Sequence, residues 1–201
     1  MISKFRIGVL VIIFNFFASV AMIWGQDNPS LLQMAVPSLN IAPDARGGGM
    51  GDMGAATLPD INSQYWNAAK YAFMGSKAGV SLSYTPWLRK LVNDVALVNM
   101  TGYYKLGNSD LQAISASLRY FSLGEVNIWE NIGDVPYGLN PYEMAFDVAY
   151  SRKLSESYSM AVTLRYIRSD MGTDQNEESN AGNAFAADIS GYLEKYVLMG
   201  N

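Results

Sequence analysis

The feature that most constrains this chain is a two-residue periodicity that begins near Ala78 and returns in segment after segment. In a β-strand such alternation places successive side chains on opposite faces. Over 142–151, Tyr142, Met144, Phe146, Val148 and Tyr150 form one face, while Glu143, Ala145, Asp147, Ala149 and Ser151 form the other. Over 158–167, Tyr158, Met160, Val162, Leu164 and Tyr166 oppose Ser159, Ala161, Thr163, Arg165 and Ile167. Over 111–121, Ile114, Ala116, Leu118 and Tyr120 face away from Ser115, Ser117 and Arg119. Over 184–195, Phe185, Ala187, Ile189 and Leu193 oppose Asp188, Ser190 and Glu194. Weaker alternation over 94–105 and 79–85 completes a set of six predicted strands.

The connections alternate too. Short turns at 106–110 and 153–157 separate long polar loops at 122–141 and 171–183. An outer-membrane barrel has short turns on one side and long loops on the other, whereas a soluble sandwich gives no reason for the difference. The tyrosines add a length scale. Tyr142 to Tyr150, and Tyr158 to Tyr166, are each eight residues apart on the apolar face. At about 3.3 Å per residue that is ~26 Å along the strand. A tilt near 40° leaves about 20 Å of height, against the ~25 Å apolar band between aromatic girdles. The 13 Tyr and 4 Trp of the chain suit such interfaces, where a ring has an apolar body and a wet tip.

The N-terminus reads as an export signal, with an uncleaved membrane anchor as the alternative for a run at the lower end of spanning length. Lys4 and Arg6 precede an apolar run from Ile7 to about Ile23, followed by small residues. Cleavage fits after Ala21 in Ser19-Val20-Ala21, or between Gly25 and Gln26, which gives a signal peptide over 1–25. Of the 14 Lys and Arg, two fall in that leader, and none of the 18 Asp and Glu does. The remaining acidic balance argues against a nucleic-acid partner, which requires a basic stripe. With no Cys and no His, disulfides and the usual zinc ligands and general bases are excluded.

Residues 26–78 lack sustained periodicity, with a short helix predicted near 63–73. Gly49-Met-Gly51-Asp52-Met-Gly54 spells G-x-G-x-x-G, but a dinucleotide site requires a strand before it and a helix opening after it. Pro43 and Pro59 flank it, so a tight, backbone-packed turn is expected. Asp174, Asn176 and Glu178 have the spacing of a calcium loop without its glycine, which leaves a solvated loop. Asp147 and Asp188 stand on the polar faces of strands and read as lumen residues, not as a catalytic pair. No nucleophile–base arrangement is visible. The expectation is therefore no catalytic residue, no metal and no cofactor.

Several motifs in order carry a family resemblance. They are Leu39-Asn-Ile-Ala-Pro43-Asp44-Ala-Arg46-Gly-Gly-Gly-Met50-Gly51-Asp52-Met-Gly54, then Tyr65-Trp66-Asn67-Ala-Ala-Lys70-Tyr71-Ala-Phe73 and Val80-Ser-Leu-Ser-Tyr84-Thr-Pro86-Trp87-Leu88. Gly102-Tyr-Tyr-Lys-Leu106 and Ser117-Leu-Arg119-Tyr120-Phe121-Ser-Leu-Gly-Glu125 follow. Over about 39–125 the chain resembles the PorV (LptO) family, outer-membrane components of the type IX secretion system of Bacteroidetes. The resemblance implies an all-β fold, a FadL-like antiparallel transmembrane β-barrel with an N-terminal hatch. Here it would comprise about six strands over 79–201 and a hatch over 26–78. It also implies partners: an SprA-type translocon, secreted cargo with a C-terminal signal domain, a surface attachment complex and outer-membrane lipid.

In that reading Asp44, Arg46, Gly49, Gly51, Asp52, Trp66 and Asn67 are hatch residues, with Asp44 and Arg46 fixing the hatch inside the lumen. Trp87, Leu88 and Trp129 then stand at the outer rim, where they meet partners or anchor in lipid. The family usually has Pro where Ala68 stands, so one hatch turn is expected to differ. Six strands cannot close a membrane barrel, whose minimum is eight. The chain also lacks a terminal aromatic residue, so it reads as the N-terminal part of a longer barrel. The alternative function on the same fold is a FadL-type transporter of hydrophobic small molecules.

Overall fold

The computed structural model describes residues 36–87, 94–107, 111–128, 137–172 and 181–195. Residues 1–25, Leu88, Trp129 and the acidic loop with Asp174, Asn176 and Glu178 lie outside them. The strands are β1 (Ala78–Pro86), β2 (Val95–Leu106), β3 (Gln112–Leu123), β4 (Val126–Ile128), β5 (Tyr137–Leu139), β6 (Tyr142–Lys153), β7 (Tyr158–Asp170) and β8 (Gly182–Leu193). Six of them form one antiparallel sheet in the order β1-β2-β3-β6-β7-β8. Chain neighbours are sheet neighbours throughout, as in an up-and-down barrel wall. The sheet does not close: β1 and β8 are its edges, and Pro86 ends an edge strand, where its missing N–H is tolerated. It is an open section of a β-barrel.

All six predicted strands are present, and most run a residue or two beyond the sequence-based bounds. The loop predicted over 122–141 differs, because β4 and β5 pair within it as a small hairpin. Three residues per strand are too few for an alternation to register against the surrounding polar sequence. The predicted 63–73 helix is broken in two, a turn at Ser63–Trp66 and a 3₁₀ turn at Ala68–Phe73. Asn67 interrupts them in an extended conformation (φ −168°), and its side-chain oxygen accepts the Ala69 N–H to start the second turn.

The polarity of the sheet is inverted relative to a soluble protein. Its buried face carries Asn99, Thr101, Lys105, Ser115, Ser117, Arg119, Glu143, Asp147, Ser151, Ser159 and Thr163. Its exposed face carries Val80, Leu82, Met100, Ile114, Leu118, Phe146, Val148, Val162, Leu164, Phe185 and Ile189. An apolar patch of that extent is not left in water by a soluble monomer, whereas alternation of apolar-out and polar-in is the pattern of a membrane barrel. Among the described residues no helix is long and apolar enough to cross a membrane; the strands are the spanning elements. Tyr120 stacks on Tyr142 and Tyr166 packs on Phe185 at the long-loop end, while Tyr104, Tyr150 and Tyr158 mark the short-turn end. The phenol tips of Tyr150 and Tyr166 are held by Gln112 (2.8 Å) and Asn183 (2.7 Å).

Segment 36–77 covers the polar face. Its turn Ala68–Phe73 touches β2, β3, β6, β7 and β8, which is possible only if the sheet curls around it. Small inward residues make the room: Ala113, Ala149 and Ala161 enclose Ala68, Ala69 and Tyr71 together with Tyr103 and Tyr192. Tyr71 is fully buried and stacks on Tyr103 with centroids 4.9 Å apart.

Candidate functional site

The candidate site is the contact between segment 36–77 and the inner wall, together with the rim above it. Two charged wall residues grip the backbone of one residue, Ser38, from both of its peptide groups. Glu143 Oε2 accepts the Ser38 N–H at 2.9 Å, and Arg119 Nη1 donates to the Ser38 carbonyl at 2.9 Å and to that of Ile41 at 3.4 Å. Both side chains are buried, and the Arg119 guanidinium lies 4.4 Å from the centre of the Tyr65 ring. A buried charge is stable only when hydrogen-bonded, and here the partners are backbone dipoles of the covering segment.

Further bonds spread this attachment across the sheet. Ser83 on β1 donates to the Pro43 carbonyl, Ser159 on β7 donates to the Ala69 carbonyl at 2.7 Å, and Asn67 donates to Gly191 of β8 at 3.0 Å. The Tyr71 hydroxyl donates to Ile61 O at 2.8 Å, accepts from Gln64 N–H at 2.9 Å and approaches Thr101 of β2. Beyond the segment, Arg165 bridges Asp147 at 2.6 Å and Asp188 at 3.6 Å, while Ser117 donates to Asp147 at 2.9 Å. These two carboxylates belong to a wall network, on the polar face where the sequence puts them.

The segment also has its own framework. Asp44 caps the helix Ala45–Gly49 by accepting the Gly47 N–H at 2.7 Å, and its other oxygen accepts the Trp66 indole N–H at 2.9 Å. Arg46 pairs with Asp60 at 3.0 Å, half-exposed. The bonds of Asp44 and Arg46 are thus internal to the segment, and its attachment to the wall runs through Arg119, Glu143, Ser83, Ser159 and Asn67. Lys70 is buried, with its ammonium on the Gly54 carbonyl (2.8 Å) and the Thr57 hydroxyl (3.1 Å); burial lowers its pKa and raises that of the Tyr71 phenol.

The glycine motif closes a helix where a nucleotide fingerprint would open one. The backbone N–H groups of Met50 and Asp52 return to the carbonyl of Gly47, and Gly51 (φ 75°) and Asp52 (φ 59°) both take the left-handed conformation. Gly49 ends the helix with open space where a side chain would go, and Gly54 packs directly on the Trp66 ring. At the rim, Trp87 follows β1, half-exposed, and its N–H bonds to Val95 O at 2.9 Å.

Of the residues named from the sequence, Asp44, Trp66, Asn67 and the glycines gather in one cluster, and Trp87 stands apart from them at the rim. Arg119 and Glu143 were legible only as polar-face residues. The signal that marks them is a charge in mid-strand among Ser and Ala, where an unpaired ion would not be tolerated. Because Asn67 joins the turn to β8, Asn67→Ala is expected to cost about 1 kcal/mol, the scale of a lost cap. A lower temperature for the heat-induced gel-mobility shift of the full-length protein checks this; an unchanged transition would contradict it.

No curated protein matches the sequence. Compared with known protein families, the chain matches the family described as type IX secretion system protein PorV over residues 25–198, nearly its whole length. With the inverted, open antiparallel sheet described above, that match identifies the chain as a member of the PorV family and a component of the type IX secretion system.

Proposed function

We propose that this protein binds exported cargo at the outer membrane and passes it from an SprA-type translocon to the surface attachment complex. The observation that carries the reading is that the polar inner wall is occupied. Segment 36–77 is clamped there by buried Arg119 and Glu143, which suits a docking protein better than an open conduit. In this reading 1–25 is the export signal and 26–78 the hatch. Trp87, with Leu88 and Trp129, supplies the rim that meets the C-terminal signal domain of cargo. Outer-membrane lipid surrounds the apolar face.

FadL-type transport of hydrophobic molecules would use an apolar route along the inside. The described inner wall is instead lined by Asn99, Thr101, Ser117, Arg119 and Asp147, and an apolar trough lies on the opposite face. The test is to delete the gene in its native host and complement it with the full-length protein carrying a photoreactive residue at position 87. Deletion is expected to hold cargo back from the cell surface, and irradiation to crosslink cargo to position 87. Normal surface delivery in the deletion strain would sink the proposal.

A further inference from the structure

On the outer face of β2 and β3, two small residues sit side by side among large ones. The registered row Val80–Gly102–Ala116–Val148 crosses β1, β2, β3 and β6, and its middle two members are the small ones. On one side of that row stand Met100, Leu118 and Phe146; on the other stand Tyr104 and Ile114. The result is an apolar trough of about 490 Å³ floored by Gly102 and Ala116, within the ~300–1,000 Å³ range of small-molecule sites. Its Tyr104 end is at the short-turn rim, and there the Lys77 ammonium sits 5.9 Å from the Tyr104 ring centre. Exposed Arg152 lies two residues beyond Tyr150 on the same short-turn rim.

We propose that this trough holds one acyl chain of a phospholipid, with the headgroup phosphate at Lys77. The chemistry of the trough selects that occupant. The trough is apolar along its length, and it ends near a cation at the level where headgroups lie. The side with short turns is the periplasmic side of such barrels, so the lipid comes from the inner leaflet. The inference rests on the reading that the exposed apolar face meets lipid.

The experiment uses the full-length protein, extracted from its native membrane in mild detergent and titrated with dipalmitoyl phosphatidylglycerol under native mass spectrometry. One lipid is expected to remain bound at one-to-one stoichiometry. Ala116→Leu, which fills the floor with a residue that lipid tolerates, is expected to weaken retention about tenfold, equivalent to ~1.4 kcal/mol. Lys77→Gln is expected to weaken phosphatidylglycerol retention while leaving that of uncharged dipalmitoylglycerol unchanged. Equal retention by Ala116→Leu and wild type would overturn the site, as would a photoreactive residue at position 102 that captures protein in cells instead of lipid. Recovery of the protein from cells without detergent would overturn the membrane reading itself, and the site with it.

Discussion

Arg119→Met is expected to release segment 36–77 from the wall while leaving the strands paired. The substitution keeps most of the side-chain volume and removes the donor to Ser38 O and Ile41 O. Hydrogen bonds to a charged group contribute roughly 1.5–3 kcal/mol each, and a buried carbonyl left without a donor adds to the loss. A net cost of about 3 kcal/mol is reasonable, a factor of roughly 100 in the docked population. The backbone ladder of β2, β3 and β6 does not depend on that side chain, so the opening is local. Limited proteolysis of the full-length protein in detergent checks this. Cleavage should appear within 36–77 while the barrel band persists, and a cleavage pattern identical to wild type would refute the clamp.

Glu143 holds the other backbone group of the same residue, Ser38, which predicts coupling. Glu143→Gln retains an acceptor for the Ser38 N–H, whereas Glu143→Ala leaves that N–H buried and unpaired. Once Arg119→Met has freed the segment, Glu143→Ala should add little, because both side chains act on one contact. The cycle separates a clamp from two independent surface effects.

The strands were legible because their physics is local. A face that meets lipid and a face that meets a polar interior impose period two on every spanning segment, so β3, β6 and β7 stand out in the letters alone. β2 is blurred because Leu97 and Tyr103 are buried on the inner face, Tyr103 against Tyr71 of the segment, while Gly102 points outward. β4 and β5 are too short to carry a period. The attachment of segment 36–77 was not legible for a different reason. Arg119 and Ser38 are 81 positions apart, and Glu143 and Ser38 are 105 apart. The acceptors and donors are mostly backbone groups, and a peptide unit has no side-chain letter to reveal which one is gripped. Asp44 and Arg46 illustrate the limit: the family resemblance implies that they fix the hatch in the lumen, yet their bonds run within the segment, to Trp66, Gly47 and Asp60.

Gly54→Ala is expected to be as damaging as the loss of Arg119, and to be rescued by shrinking Trp66. A Cβ at Gly54 would lie 2.2 Å from Trp66 Cγ and Cδ2, and one at Gly47 would lie 2.6 Å from Cζ2 on the same ring. The indole is thus fitted between two backbones, and a methyl group at position 54 must expel it. Expulsion also breaks the indole bond to Asp44. Overpacking costs about 1–3 kcal/mol, and the lost bond about 1 kcal/mol more. The backbone at Gly54 is not left-handed, so the penalty is steric, and Trp66→Ala should remove it: in that background Gly54→Ala should change stability by less than ~0.5 kcal/mol. Gly51 makes the contrast. Nothing lies within 4 Å of a Cβ there, but φ is 75°, so Gly51→Ala should cost about 1–2 kcal/mol from backbone strain alone. Trp66→Ala should not relieve that cost. Denaturant midpoints of the three single variants and two doubles decide the matter. Equal rescue of Gly51 and Gly54 by Trp66→Ala would show that the two glycines serve one purpose and that the packing argument is wrong.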